Sequence, residues 1–151
     1  MSACPGSGKS TWARRYCSEH PGTRVVSSDD VRYELTGQYQ DFSKQKEVWE
    51  TVEKRLIDYG KIENITVILD ACVDLNSLRI KYADLSNDYE KKILVVLVKP
   101  LDQVLINNRK RNPVKFVPED ILIKMYSKFE APSEEAISHY DEFVYIDKYF
   151  K

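Results

Sequence analysis

The sequence predicts a three-layer α/β domain built on a mostly parallel, doubly wound sheet. Three observations lead there. Short apolar runs of strand character alternate with helical stretches along the chain. The strongest run, Ile93-Leu94-Val95-Val96-Leu97-Val98, is continuous rather than alternating, as in a strand buried on both faces. A glycine-rich turn, Ala3-Cys4-Pro5-Gly6-Ser7-Gly8-Lys9-Ser10-Thr11, leads directly into a helix. At 151 residues the chain forms one domain, with no repeat, low-complexity tract or linker.

Each element follows in order. Residues 11–19 carry a helix closed by His20-Pro21-Gly22. Residues 24–27 give a short strand around Val25 and Val26. Asp29-Asp30 open the next helix, where carboxylates suit the first turn. Ser43 is the expected N-cap of a long helix reaching about Tyr59. On it Val48, Val52, Leu56 and Tyr59 share one face, and Gly60 ends it. Residues 65–69 read as a buried parallel strand with Asp70 at its carboxyl end. Asn76 is the expected cap of a helix to about Asn87, and residues 92–98 hold the strongest strand. A helix over 101–108, a basic stretch over 109–115, and a helix from Pro118 to about Phe129 come next. Residues 143–146 are a last strand. That makes four strands. The central one, which should feed the glycine-rich turn, is missing or truncated, because only Met1 and Ser2 precede Ala3.

The turn carries the first chemistry. A phosphate-binding loop asks for Gly, four residues, then Gly-Lys-Ser/Thr. Gly8, Lys9 and Ser10 supply its second half, and Ala3 stands where the first Gly belongs. Gly6 and Gly8 tolerate positive φ and let successive N–H groups face an anion. The helix start adds its partial positive charge. Lys9 can reach β- and γ-phosphates, and the Ser10 hydroxyl can ligate Mg²⁺. Pro5, Ser7 and Thr11 complete the expected ATP-binding set.

Composition bounds the rest. Net charge is −1, so an extended nucleic-acid footprint is excluded and any grip on a polyanion is local. Cys4, Cys17 and Cys72 lack metal-ligand spacing and are odd in number, as expected of reduced thiols in the cytoplasm. No apolar run reaches about 18 residues, so no membrane span or membrane partner is expected. Met1 leads straight into the loop, unlike a signal peptide.

Three further clusters qualify for chemistry. Ser27-Ser28-Asp29-Asp30-Val31-Arg32 follows a strand, at the edge where such sheets bind ligands. One carboxylate there can accept a hydroxyl proton, and Arg32 can hold an anionic group. The bland reading is a helix start with favourable acids. Asp70 can bind Mg²⁺ through water, contact an acceptor, or simply end its strand. Arg109, Lys110, Arg111 and Lys115 put four positive charges in seven residues, a candidate lid over a triphosphate or a solvated loop. Arg111 is the leading lid arginine and Arg109 the second. Tyr33, Tyr39 and Phe42 lie near Arg32 and can stack a base, though such residues are more often core.

The Cys-Pro-Gly-Ser-Gly-Lys-Ser-Thr-Trp-Ala-Arg run, the following Asp-Asp-x-Arg, Lys110-Arg111, Lys115-Phe116-Val117-Pro118 and Met125-Tyr126-Ser127-Lys128 together resemble the kinase domain of bacteriophage-type polynucleotide 5′-hydroxyl kinase. The resemblance spans about residues 3–130, within the wider AAA-type group of small ATP-binding P-loop kinases. It implies a three-layer P-loop kinase fold, with ATP and Mg²⁺ at Lys9 and Ser10. It further implies Asp29 as general base, Arg32 and Asp70 in the acceptor site, and Arg111 reaching the transferring phosphate from a lid over about 109–117. Asn107 stands where that family places another lid arginine, a role Arg109 can take. The implied acceptor is a 5′-OH nucleic-acid end. Two alternatives stay open: a kinase of a small hydroxylated metabolite, sugar nucleotide or antibiotic, and a nucleotide-binding domain without turnover.

Overall fold

Valine-rich runs become strands because β-branched side chains pack well on a pleated, buried surface. The stretches between them become helices because their apolar residues recur at helical spacing. The computed structural model describes residues 1–146. Its strands are β1 (Ser2–Ala3), β2 (Arg24–Ser27), β3 (Val67–Asp70), β4 (Ile93–Leu97) and β5 (Glu142–Ile146). Its helices are α1 (Lys9–Glu19), α2 (Ser28–Thr36), α3 (Gln45–Gly60), α4 (Asn76–Leu85), α5 (Leu101–Arg109), α6 (Glu119–Ser127) and α7 (Glu134–Ser138), with a 3₁₀ turn at Pro113–Lys115.

All neighbouring strands run parallel: β2 with β3, β1 with β4, and β4 with β5. The Met1 nitrogen donates to the Leu69 carbonyl at 3.0 Å. This places β1 between β3 and β4, and the order across the molecule is β2-β3-β1-β4-β5. A fifth strand thus corrects the count of four. The central strand is present, as two residues paired Ser2 to Val96 and Ala3 to Leu97.

Side chains alternate across a strand, and Ser2 and Ala3 show what lies on each face. Ala3 packs with Val95 and Leu97, covered by Trp12 of α1. The Ser2 hydroxyl instead accepts from Arg79 of α4 at 3.1 and 3.0 Å. Helices therefore cover both faces, giving three layers. A second cluster joins Val26, Val31, Val48 and Val52 between β2, α2 and α3, and a third joins Leu56, Ala71, Val73 and Tyr82. Val48, Val52 and Leu56 form the buried face expected of α3, with Tyr59 packed beside Val26's cluster.

Two caps differ from expectation. The Ser43 N–H donates to Asp41 Oδ1 at 2.9 Å, so the aspartate shapes that turn and α3 starts at Gln45 behind Lys44. The Asn76 N–H donates to Glu130 Oε2 at 2.7 Å, so a carboxylate distant in sequence caps α4. Asn76 Oδ1 is then used by Arg79 and by the Ser133 N–H. Pro118 is the cap residue before α6 rather than its first residue. Among the described residues no helix is long and apolar enough to cross a membrane.

Candidate active site

The register decides where the chemistry collects. Ser27 stands opposite Asp70, and Ala3 opposite Leu97, at the carboxyl ends of parallel strands. Ligands bind at that edge in open α/β sheets.

Gly6 and Gly8 adopt φ of 81° and 99°. A Cβ on Gly6 would also meet the Val104 carbonyl at 2.8 Å, so α5 presses on the loop and leaves no room for a side chain. Asn107 Nδ2 donates to the Gly6 carbonyl at 2.9 Å, pinning the loop from α5. Gly8 is the N-cap of α1 and supplies no side-chain acceptor, which leaves the first N–H groups of the helix facing the loop. Pro5 and Ser7 are buried beneath, and Thr11 is exposed. Ala3 fits where the motif has Gly: its methyl sits in the core, and its φ is not left-handed.

Lys9 Nζ donates to the Cys4 carbonyl at 3.5 Å and lies 3.8 Å from Cys72 Sγ. Burial pulls its pKa down, but Cys72, Asp70 and Asp29 together hold it above the ordinary lysine value, while Arg111 opposes them. The ammonium is thus secure, and the charges acting on it come from all three remaining clusters. The Ser10 hydroxyl donates to Asp70 Oδ2 at 2.8 Å. A hydroxyl beside a carboxylate is a hard-oxygen pair suited to Mg²⁺, so this pair fits such an ion when phosphates complete its shell.

The two adjacent aspartates have separate fates. Asp30 is exposed, and its N–H takes the Ser27 Oγ cap at 3.3 Å. Asp29 Oδ1 accepts from Arg32 Nη1 at 2.8 Å. The Arg32 side chain is 5% exposed, against 45% for Asp29. Its guanidinium also donates to the Tyr39 carbonyl and to Gln45 Oε1, each at 3.4 Å, and lies over the Phe42 ring at 4.6 Å. Arg32 is held internally and leaves one edge of Asp29 open.

Over 109–117 the chain leaves α5 and passes through the 3₁₀ turn. Buried Asn108 brackets Val117, donating to its carbonyl at 2.7 Å and accepting from its N–H at 3.1 Å. Arg109 Nε donates to Glu119 Oε1 at 2.6 Å on the surface, and this ion pair holds the stem of the segment. Arg111 is the arginine of this segment that acts electrostatically on Lys9.

Sequence reasoning missed several residues that hold this site. Asn108 had no motif to mark it, Asn107 stood out only as replacing a lid arginine of the resembled family, and Cys72 only as a reduced thiol. Arg79 is fully buried and donates to Ser2, Asn76 and the Asp74 and Glu130 carbonyls, yet in a helix it reads as a surface residue. Two amides side by side at a helix end were the available signal for Asn107 and Asn108.

A family model described as an AAA domain (AAA_33) matches residues 4–132. The chain belongs to this AAA-domain family. Its fold is similar to a gluconokinase from Sinorhizobium meliloti 1021, with TM-score 0.64 and 18% identity over 97% of this chain and 79% of that one. It is also similar to Kti12 of Chaetomium thermophilum in complex with ADP-AlF3, with TM-score 0.68 and 12% identity over 97% and 86%. The AAA-domain chain thus has the P-loop kinase architecture. The resemblance read from the sequence holds at the level of this wider group.

Proposed function

We propose that this AAA-domain protein transfers the γ-phosphoryl group of ATP to a hydroxyl acceptor, with a 5′-OH polynucleotide end as the favoured acceptor. One observation supports the reading: the Ser10–Asp70 hydrogen bond and the Arg32-held Asp29 lie at one sheet edge, and Asp70, Asp29 and Arg111 all act electrostatically on Lys9. The loop N–H groups and Lys9 would hold the β- and γ-phosphates. Ser10 and Asp70 would hold Mg²⁺, which neutralises phosphate charge when bound. Asp29 accepts the proton as the acceptor oxygen bonds to the γ-phosphorus, and the bond to the β–γ bridging oxygen breaks to release ADP. Arg32 positions Asp29 for that task. Arg111 offsets the charge carried by the moving phosphoryl group.

The test is transfer of labelled γ-phosphate to a short 5′-OH oligonucleotide, beside a panel of small hydroxylated compounds that includes gluconate, the implied acceptor of one structural neighbour. Label on the oligonucleotide, lost in Lys9→Ala, supports the proposal. Label only on a small compound moves the acceptor to that class. ATP binding with no transfer to any acceptor makes the domain a nucleotide binder.

A further inference from the structure

Between α2 and α3 the chain forms a loop over residues 37–44 that faces the segment over 109–117. Tyr39 is its centre. Its ring stacks on Tyr33 with centroids 4.7 Å apart and planes inclined by 25°. Tyr33 is 49% exposed, so the pair stands at the surface instead of filling a core. Lys115 Nζ lies 4.2 Å from the Tyr39 ring centre, and Gln40 Nε2 donates to the Phe116 carbonyl at 3.4 Å. The loop and the basic segment therefore meet at this ring. From below, Arg32 Nη1 donates both to the Tyr39 carbonyl and to Asp29 Oδ1. One guanidinium nitrogen thus ties the ring's backbone to the carboxylate assigned as proton acceptor.

We propose that the Tyr33–Tyr39 pair with Lys115 is a subsite for a nucleobase and the phosphate next to it, so that the acceptor is a nucleoside end rather than a polyol. This rests on the kinase reading above and adds the substrate feature that selects among acceptors. Every base offers a π-face, and stacking on an aromatic ring tolerates sequence. Lys115 lies over the Tyr39 face that Tyr33 leaves open, so a base takes that face as the flexible ammonium swings to the phosphodiester that follows the terminal nucleoside. Base and 5′-hydroxyl belong to one sugar, so a ring and a carboxylate tied to the same nitrogen suit their short separation. A polyol has no π-face and gains nothing from the pair. Arg32 itself is turned inward, and Lys115 is a cation held at the loop's ring.

Wild-type protein is titrated with fluorescently labelled 5′-OH trinucleotides in the presence of a non-hydrolysable ATP analogue. One carries a normal terminal base and the other is abasic at that position. The abasic end is expected to bind about tenfold more weakly. Tyr39→Ala should lose about the same factor for the normal end and nothing for the abasic one, while Tyr39→Phe, which keeps the ring, stays within twofold. In the transfer assay Tyr39→Ala should raise the acceptor KM with kcat and the ATP KM within twofold. Lys115→Met should weaken binding and flatten its salt dependence. Equal affinity for normal and abasic ends overturns the subsite, even where transfer to both succeeds and the kinase reading stands. Base-dependent binding without transfer supports the subsite and overturns the kinase reading. No binding of either oligonucleotide overturns the subsite and the polynucleotide acceptor, while transfer to a small hydroxylated compound would keep the kinase reading.

Discussion

Asp29 and Asp30 show what a single residue's environment adds to its identity. Both acids suit the first turn of a helix, so their position in the helix does not choose between them, and only the family resemblance favours Asp29. The structure separates them, because only Asp29 takes the buried Arg32 guanidinium and contributes to the field at Lys9. For Arg32 the sequence points to an anion ligand, whereas the partners that enclose it come from a loop whose path no local pattern reveals. Asp29→Asn should keep ATP affinity and lower kcat by about 10²–10⁴-fold, the usual range for a general base; steady-state kinetics with ATP and acceptor varied separately will show it. An unchanged kcat would remove Asp29 from proton transfer. Cys4 gives a second residue-level expectation. Burial first, then Cys72 and Asp74, push its thiol up to about 12, with Lys9 opposing. At pH 8 it therefore stays protonated, and Cys4 should alkylate far more slowly with iodoacetamide in the folded protein than in urea, as read by peptide mass spectrometry. The folded value exceeds the unfolded 9.0, so this group leaves stability unchanged below pH 9 and lowers it as pH climbs towards 12.

At the level of elements, nearly every strand and helix was legible, since hydrophobic period and strand-end polar residues specify them locally. The caps were not. Glu130 caps α4 across 54 residues, and Asp41 engages the Ser43 N–H in a turn ahead of α3, which begins at Gln45 with no side-chain cap. Helix α7 is five residues long, too short for a periodic pattern, and is capped by Ser133 Oγ on the Ala136 N–H. Arg79 is the joint behind these contacts. It links α4 to β1 through Ser2 and to the α6–α7 connection through the Glu130 carbonyl, and its guanidinium lies over Phe129 at 5.1 Å. Desolvation pulls its pKa down, with Glu130, Asp74 and Tyr140 opposing. Arg79→Met would leave the buried Ser2 hydroxyl and the part-buried Glu130 carbonyl without their guanidinium donor, while the Asp74 carbonyl keeps the Glu130 N–H, at about 1–3 kcal/mol for each unsatisfied group. A net loss of about 3 kcal/mol corresponds to a fall in Tm of roughly 6–12 °C for a chain of this size. Thermal unfolding by circular dichroism measures it, and a fall under about 2 °C would show that water or the neighbours replace the guanidinium.

Across the whole molecule, the sheet is least complete where it should be strongest. Strand β4 pairs with β5 over Ile93–Leu97, but with β1 only at Val96 and Leu97. Strand β3 pairs with β2 on one side, and on the other Leu69 accepts from the Met1 nitrogen. Beneath Met1 lies a cavity of about 170 Å³ lined by Trp12, Leu69, Tyr82 and Val95 among others. An engineered Val-Ile-Val-Ile extension fused ahead of Met1 would enter parallel to β3 and β4, with its last two residues opposite Ile93 and Leu94 in the register that sets Ser2 against Val96. At about 1 kcal/mol per added hydrogen bond, before apolar burial, the expected gain in Tm is at least about 4 °C. An extension with proline at its second and fourth positions cannot donate to the ladder and should give none of the gain. Equal melting of both extensions would mean that the slot does not accept a strand. A gain confined to the β-branched version, with tighter ATP binding, would show that aiming the phosphate loop depends on how far β1 is anchored in the sheet.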